Sequence, residues 1–493
     1  MTRRLSVALI CLGLLGLSAG NGTAATVSFG IADAPSTCGQ WHANSCARWS
    51  YGFASYYDDG AAGAFTRLRE ALPLGYVRLS APYDAVYDFN PVANDCRWSA
   101  DYTSHASAPY PGGGGPGSAW FRLAQELRDA RAVGLKPLVV LTSATRVGQQ
   151  QDGDPATPDP TAAGWGGVRA ITTIAGSDYR CGVQGLAYLT HAQGLRVAEW
   201  EAWNEPDGSS SYNGALVGAC GAVPNGCGGI YDAGGPLCGD STYAQCGPLE
   251  AAGLYALLSS TLAQLQGRYG WQVPPIGAGT PSWPSTAYFD AYLRQLTSVI
   301  GRWPEYLAYH DYADVTSRGF ANSLAFSKHV HDVYAAAGRR QPSLWITEAG
   351  VVLTDTDGSY DGKPVTCANG EPDDDATLGA CVDGNPSAQQ EGASDFLKLA
   401  SAGSFSPGQI TQLFWYQLQP ANESTGWDSG LLAPPRPVPH AWAQRSPDGV
   451  YGSGSGFSGL RPSYCVLARV DGSSCSASPV EASAWSVQPR SSG

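Results

Sequence analysis

Two glutamates stand in contexts that suit acid–base and nucleophilic chemistry. Glu205 lies in Ala202-Trp203-Asn204-Glu205-Pro206, and Glu348 lies in Leu344-Trp345-Ile346-Thr347-Glu348-Ala349-Gly350. Each follows a short run that reads as a β-strand, so each carboxylate falls at a strand end. An ionised carboxylate can attack an electrophilic carbon, and a carboxyl that keeps its proton can give it to a departing oxygen. Two such groups about 5 to 5.5 Å apart can break a glycosidic bond with retention of configuration. Asn204 offers an amide able to bond a sugar hydroxyl, and Pro206 ends strand pairing. The competing reading of either glutamate is a salt bridge at a barrel end, but neither has a basic neighbour in sequence.

Positioning two such groups requires a scaffold, and the chain supplies a regular alternation. Eight strand candidates run Val27–Ala32, Tyr76–Ser80, Lys136–Thr142, Val197–Trp203, Pro275–Thr280, Tyr306–His310, Ser343–Glu348 and Thr411–Gln417. Amphipathic stretches lie between them, including Ala61–Ala71, Ala119–Val133, Pro248–Leu265, Thr286–Ile300, Ala321–Ala337 and Ala388–Ala402. Strand alternating with helix implies a parallel sheet. Helix-to-strand links are short, as at Gly134-Leu135, whereas residues 207–247 and 351–385 are long insertions after strands. In an α/β (β/α)8 TIM barrel all such strand-to-helix loops emerge on one face, where active sites are built. The expectation is a single catalytic domain over residues 26–475, followed by a frayed tail at 476–493.

Residues 1–25 carry Arg3 and Arg4, an apolar run from Leu5 to Leu17, and small residues ending Thr23-Ala24-Ala25. That pattern is a secretory signal peptide, and the run is short for a membrane span. No cysteine sits at a lipoprotein-type junction, so an extracellular protein with no membrane partner is expected. Thirteen cysteines include Cys11 of the leader, which leaves an even number. Exported chains use such cysteines as disulfides. Spacing suggests Cys38 with Cys46, Cys220 with Cys227, Cys238 with Cys246, Cys367 with Cys381 and Cys465 with Cys475, leaving Cys96 for Cys181, although spacing does not fix connectivity. These bridges would staple the long loops around a substrate cleft. A zinc site is the rival, but no CxxC spacing supports it.

A net charge of −13 with 14% charged residues and no basic run excludes nucleic acid as a partner. Fifteen tryptophans and twenty-five tyrosines can fill a core or stack on sugar rings.

WNEP at the fourth strand and TE followed by AG at the seventh resemble clan A of the glycoside hydrolases, with families 5 and 39 nearest. The resemblance spans the whole mature chain through its strand order. It implies that Glu205 is the general acid/base, Glu348 the nucleophile and Asn204 a ligand of the sugar 2-hydroxyl. His310-Asp311-Tyr312 resembles the HxY element, which sets an imidazole near the sugar and a phenol against the nucleophile. Residues two apart on a strand share a face. Tyr76-Val77-Arg78-Leu79-Ser80 resembles the second strand, where Arg78 would steady the nucleophile. Phe414-Trp415-Tyr416 resembles the eighth, where Trp415 would floor the sugar site. WDSGLL followed by RPSY also matches the clan's ending, with Ala433–Leu460 read as an insertion. Structural roles compete for three of these: a satisfied core histidine for His310, a buried pair for Arg78, and core packing for Trp415.

Environment would then divide the two carboxyls. Arg78 and hydrogen-bond donors would keep Glu348 ionised, while burial and the nucleophile's charge would keep Glu205 protonated near neutral pH. Neither a cofactor nor a catalytic metal is expected, and a carbohydrate is the expected partner of a monomer. Two rival functions use the same residues: a non-hydrolytic carbohydrate-binding barrel and a transglycosylase.

Other patterns lack their context. Gly112, Gly114 and Gly117 satisfy GxGxxG without a preceding strand, and the Gly/Ser run at 452–459 lacks the strand-turn-helix setting of a GxSxG elbow. His329 and His331 are two apart on a helix and cannot share a face. Asp355, Asp357 and Asp361 hint at calcium, but Tyr360 stands where an EF-hand loop needs glycine.

Overall fold

The structure, a computed structural model, describes residues 27–33, 72, 74–82, 119–142, 177–206, 243–317, 319–351, 386–401, 409–416, 431–433, 459–460 and 462–467. Eight parallel strands close into a barrel in sequence order. They are β1 (Ser28–Asp33), β2 (Leu74–Pro82), β3 (Lys136–Thr142), β4 (Glu199–Glu201), β5 (Ile276–Gly279), β6 (Tyr306–His310), β7 (Ser343–Ala349) and β8 (Ile410–Tyr416). Closure comes from β1, which pairs with β2 on one side and with β8 on the other, Gly30 opposite Tyr76 and Phe414. Parallel neighbours need crossovers, and among the described residues helices supply those from β2 to β8: α1 (Ala119–Ala132), α2 (Ser177–Ala192), α3 (Tyr243–Tyr269), α4 (Thr286–Ile300), α5 (Tyr312–Ser317), α6 (Ala321–Ala336) and α7 (Pro386–Ser401), while α8 (Pro462–Leu467) follows β8. This is the expected (β/α)8 barrel.

The pleat sorts side chains into two cores. Residues pointing outward, such as Val77, Leu79, Val139, Leu307, Tyr309, Ile346, Leu413 and Trp415, pack with the helices in one large cluster. Residues pointing inward form a smaller cluster inside the barrel: Ala32, Tyr76, Leu138, Ala308, Trp345, Phe414 and Tyr416. Two glycines make room for two of the rings. A Cβ at Gly30 would lie 2.5 Å from the Phe414 ring, and one at Gly277 would lie 2.9 Å from the Trp345 indole. Small residues opposite large ones fill a barrel without voids.

Element boundaries fall close to the sequence expectations, with β3, β6 and α4 matching them end to end. The fourth strand is much shorter than Val197–Trp203, because its ladder stops at Glu201, two residues short of Trp203. Helix α3 begins at Tyr243, ahead of the expected start at Pro248, which sits inside it. α2 lies outside the stretches named from sequence. Helix α4 shows how the short links work: Ser285 accepts the Tyr288 N–H at 3.2 Å, and Gly301, at φ 63°, closes the other end with its N–H on Thr297 O.

Leu432–Ala433 (β9) and Gly459–Leu460 (β10) pair antiparallel, Gly459 opposite Ala433. The segment read as an insertion therefore leaves and returns at a two-stranded base. Among the described residues no helix is long and apolar enough to cross a membrane. The stretch 1–25, the tail 476–493, the helix expected at Ala61–Ala71, the glycine motifs and Asp355–Asp361 lie outside the described residues, as do all the cysteine side chains.

Candidate active site

At the C-terminal end of the barrel the strands no longer form a continuous ladder, and irregular backbone takes over. Glu205 stands four residues beyond β4, in irregular backbone, at φ 43°. A non-glycine residue in that region carries strain that the surroundings must hold. Here the Glu205 N–H donates to Thr280 O at 3.1 Å, and Thr280 itself has φ 49° while its N–H bonds Ala308 O at 2.9 Å. Glu348 is on β7, where the register against β6 skips a residue so that His310 pairs with Glu348. This bulge turns Glu348 toward His310, and the Asp311 N–H reinforces the junction by donating to Glu348 O at 2.9 Å.

These devices bring the expected residues together. One ligating atom each of Glu205, His310 and Glu348 lies within 4.8 Å of the other two. Arg78, from β2, is the hub: Nη1 donates to Glu348 Oε1, and Nη2 donates to Asn204 Oδ1 at 2.8 Å. Its Nε donates to Glu201 Oε2 at 2.6 Å. With Asn204 Oδ1 engaged by Arg78, its Nδ2 is the group left to donate outward. Tyr312 donates its hydroxyl to Glu348 Oε2 at 2.7 Å. His310, at 0% exposure, sets Nδ1 2.7 Å from Glu205 Oε1 and 3.5 Å from Glu348 Oε2.

His310 and Tyr312 reach the site by different routes than a shared strand face. His310 ends β6, and Tyr312 opens α5. Asp311 between them anchors the change of direction: its carboxylate accepts the Asp314 N–H at 3.2 Å and the Ser323 hydroxyl, and Asp314 accepts the Ser323 N–H at 2.7 Å.

Trp415 corrects an expectation. Its ring is fully buried and stands edge-on to Phe396 of α7 at 5.6 Å, in the layer between strands and helices. Strand alternation sends Phe414 and Tyr416 inward instead. The Tyr416 ring meets Tyr312 edge-on at 6.0 Å, so tyrosine, not tryptophan, faces the cluster from β8.

Two residues escaped the sequence reading. Glu201 is wholly buried and holds Arg78 from below. Glu199, two residues earlier on the same face, accepts from Gln412 Nε2 at 2.6 Å. The available signal was a pair of acids in a strand whose burial on both faces calls for apolar residues.

Electrostatics separates the two catalytic candidates. Burial pushes the Glu205 carboxyl up to about 7, against the opposing pull of the Arg78 charge. Burial also pushes His310 down to about 4, despite the Glu348 carboxylate beside it. At pH 5 to 6 the pair is thus a protonated carboxyl beside a neutral imidazole. His310 Nε2 is buried without a partner among the described residues. Leaving a lone pair unmet costs less than leaving an N–H unmet, so the proton is assigned to Nδ1, donating to Glu205 Oε1. Arg78 is held firmly charged: burial opposes its charge, but Glu201 and Glu348 more than compensate.

The Glu205, His310 and Glu348 atoms could also ligate a metal ion. Arg78 already neutralises Glu348 within the cluster, which disfavours a second cation there.

No protein-family model matches the sequence, and none of the curated proteins does. Similar solved structures include a family 39 glycoside hydrolase from the gut symbiont Bacteroides cellulosilyticus WH2, at 15% identity and TM-score 0.43 over 91% of this chain. The chain spans 64% of that protein's length. A β-glycosidase from the hyperthermophile Thermosphaera aggregans aligns at 11% identity and TM-score 0.45, over 94% of this chain and 99% of the other. The family 53 catalytic domain of Ignisphaera aggregans aligns at 13% and 0.43, over 91% and 97%.

Proposed function

We propose that this protein is a secreted glycoside hydrolase that cleaves O-glycosidic bonds of an oligo- or polysaccharide by double displacement, with retention at the anomeric carbon. The observation that carries the reading is the close pairing of Glu205 and Glu348, their ligating oxygens within 4.8 Å, in opposed environments. Oxygens this close support direct attack by Glu348; in an inverting pair the carboxyl groups as a whole stand about 6.5 to 9.5 Å apart and leave room for a water between carboxylate and sugar.

In the first half-reaction Glu348 attacks the anomeric carbon with an oxygen lone pair. The bond from that carbon to the leaving oxygen breaks, and its electrons are met by the proton of Glu205. In the second, Glu205 takes a proton from water, the water oxygen bonds the anomeric carbon, and Glu348 leaves as a carboxylate. Arg78 and Tyr312 orient the Glu348 oxygens for attack and stabilise the carboxylate on departure. His310 keeps Glu205 turned toward the scissile oxygen, and Asn204 Nδ2 is placed to bond a sugar hydroxyl. The leader-like pattern of residues 1–25 supports export, and closely spaced cysteines in the sequence of the long loops suit an oxidising compartment.

A panel of oligo- and polysaccharides tests the reading, with reducing-end release and proton NMR of the first-formed anomer. Release of reducing ends with the substrate's anomeric configuration is expected. An inverted anomer would remove the double displacement, and no release from any glycan would remove the hydrolase.

A further inference from the structure

Trp283 is 57% exposed, more than any other large apolar side chain among the described residues. The next, Tyr269 at 38%, is stacked on Trp271 at 4.6 Å. A single exposed aromatic is ordinary. The mounting of this one is not. It lies in the link from β5 to α4, which rises on the face of the barrel where strand ends carry the carboxylates.

That link is tied at two points to Glu205 and His310 and at two more to the start of α4. Gly279 O accepts the Tyr288 hydroxyl at 3.0 Å, and Thr280 O accepts the Glu205 N–H at 3.1 Å. Pro281 O accepts the His310 N–H at 2.9 Å, and Trp283 O accepts the Ser285 N–H at 2.8 Å. Pro281 and Pro284 fix two further φ angles on either side of the indole. The Trp283 Cα is two residues from Pro281, so it stands at most about 7.6 Å from a residue bonded to His310. A wide apolar ring, more than half exposed, is thus carried on backbone tied to the residues around the proton donor, which lowers the entropic cost of ordering the link when a flat apolar surface binds.

We propose that Trp283 is the stacking platform for the sugar on the leaving-group side of the scissile bond, which makes the substrate an oligosaccharide with a pyranose in that position. The inference rests on the glycosidase reading. Glu205 protonates the leaving oxygen, and the β5 link adjoins Glu205, so the departing sugar lies over this link. The C–H face of a pyranose ring is the part of a carbohydrate that an indole can cover.

The test compares wild type with Trp283→Ala and Trp283→Phe on cello-, xylo- and manno-oligosaccharides of three to five units, and on the glycosyl fluoride of whichever sugar is released. Fluoride is too small to reach the platform. In Trp283→Ala, kcat/KM on the oligosaccharide should fall about tenfold or more while the fluoride value stays unchanged. Trp283→Phe should recover most of the loss. Calorimetric binding of the same oligosaccharide to the Glu348→Gln variant should weaken by a similar factor when Trp283 is also replaced. Equal losses on both substrates, or no loss on the oligosaccharide, would overturn the platform alone. Binding that depends on Trp283 in a wild type that releases no reducing ends would keep the platform and sink the hydrolase. Absence of both binding and release across the panel would sink both.

Discussion

Arg78 Nε and Glu201 Oε2 are joined at 2.6 Å, with side-chain exposures of 2% and 0%. Because the same guanidinium also grips Glu348 and Asn204, Glu201 fixes where the cation sits under the two carboxyls. Glu201 is a positioning residue. Glu201→Gln keeps an acceptor for Nε but removes a negative charge, leaving the Arg78 charge more fully available to Glu348 and Glu205. The Glu205 carboxyl should then ionise more easily, so the alkaline limb of the pH–activity profile should move to lower pH. A drop of about tenfold to a hundredfold in kcat/KM should accompany it. A loss of activity with an unmoved profile would mark Glu201 as structural only.

The nucleophile is tested directly by Glu348→Gln, expected to cut turnover by about 10⁴-fold or more while circular dichroism and melting remain near wild type. Tyr312→Phe removes the donor 2.7 Å from Glu348 Oε2. Losing that hydrogen bond removes an orienting contact from the nucleophile, so kcat should fall about tenfold.

Glu205 must carry a proton to act on the leaving oxygen, and its carboxyl is raised to about 7. Activity on oligosaccharides should therefore fall as pH rises through about 7, about tenfold per unit beyond it. Glu205→Gln should abolish that alkaline limb and cost about 10² to 10⁴ in rate. It should cost far less on a glycosyl fluoride, whose leaving group needs little protonation.

Stability should respond to pH in a related way. Glu205, Glu199 and Asp311 are each raised to about 7, chiefly by burial, so between about 4.5 and 7 the folded chain holds protons that the unfolded chain has released. Their contribution is complete below the unfolded values and is lost as pH rises through 7. His310, lowered to about 4 by burial, acts in the opposite sense, adding stability from about 4 up to 6.5. Three carboxyls outweigh one imidazole. The melting temperature should decline from pH 5 to pH 7.5, and a flat or rising curve would contradict the buried-carboxyl assignment.

Gly30→Ala tests the barrel interior rather than the site. Its Cβ would press on the Phe414 ring at 2.5 Å, between strands that cannot part without opening the barrel. Overpacking of this kind costs about 1 to 3 kcal/mol. Thermal denaturation should show a clear loss of melting temperature.

Much of this molecule is set by local pattern. Alternating strand and helix signals place the eight strands because period-two and helical apolar spacing depend on near neighbours alone. The order of the barrel follows because parallel strands joined by helices have few ways to close. Glu205, Glu348, Asn204, Arg78, His310 and Tyr312 were legible from their short contexts, and the fold brings all six into one cluster. Trp415 was misplaced because its direction depends on strand phase: one step along β8 turns a ring from the mouth to the helix layer, and composition does not reveal phase. Glu201 was overlooked because its meaning comes from Arg78, 123 residues away. The left-handed backbone at Glu205, the bulge that pairs Glu348 with His310, and the ties from the β5 link to Glu205 and His310 are likewise long-range. Sequence determines which groups arrive at the barrel mouth. Their angles, proton positions and neighbours are decided only when distant strands meet, since hydrogen bonds and desolvation act through space rather than along the chain.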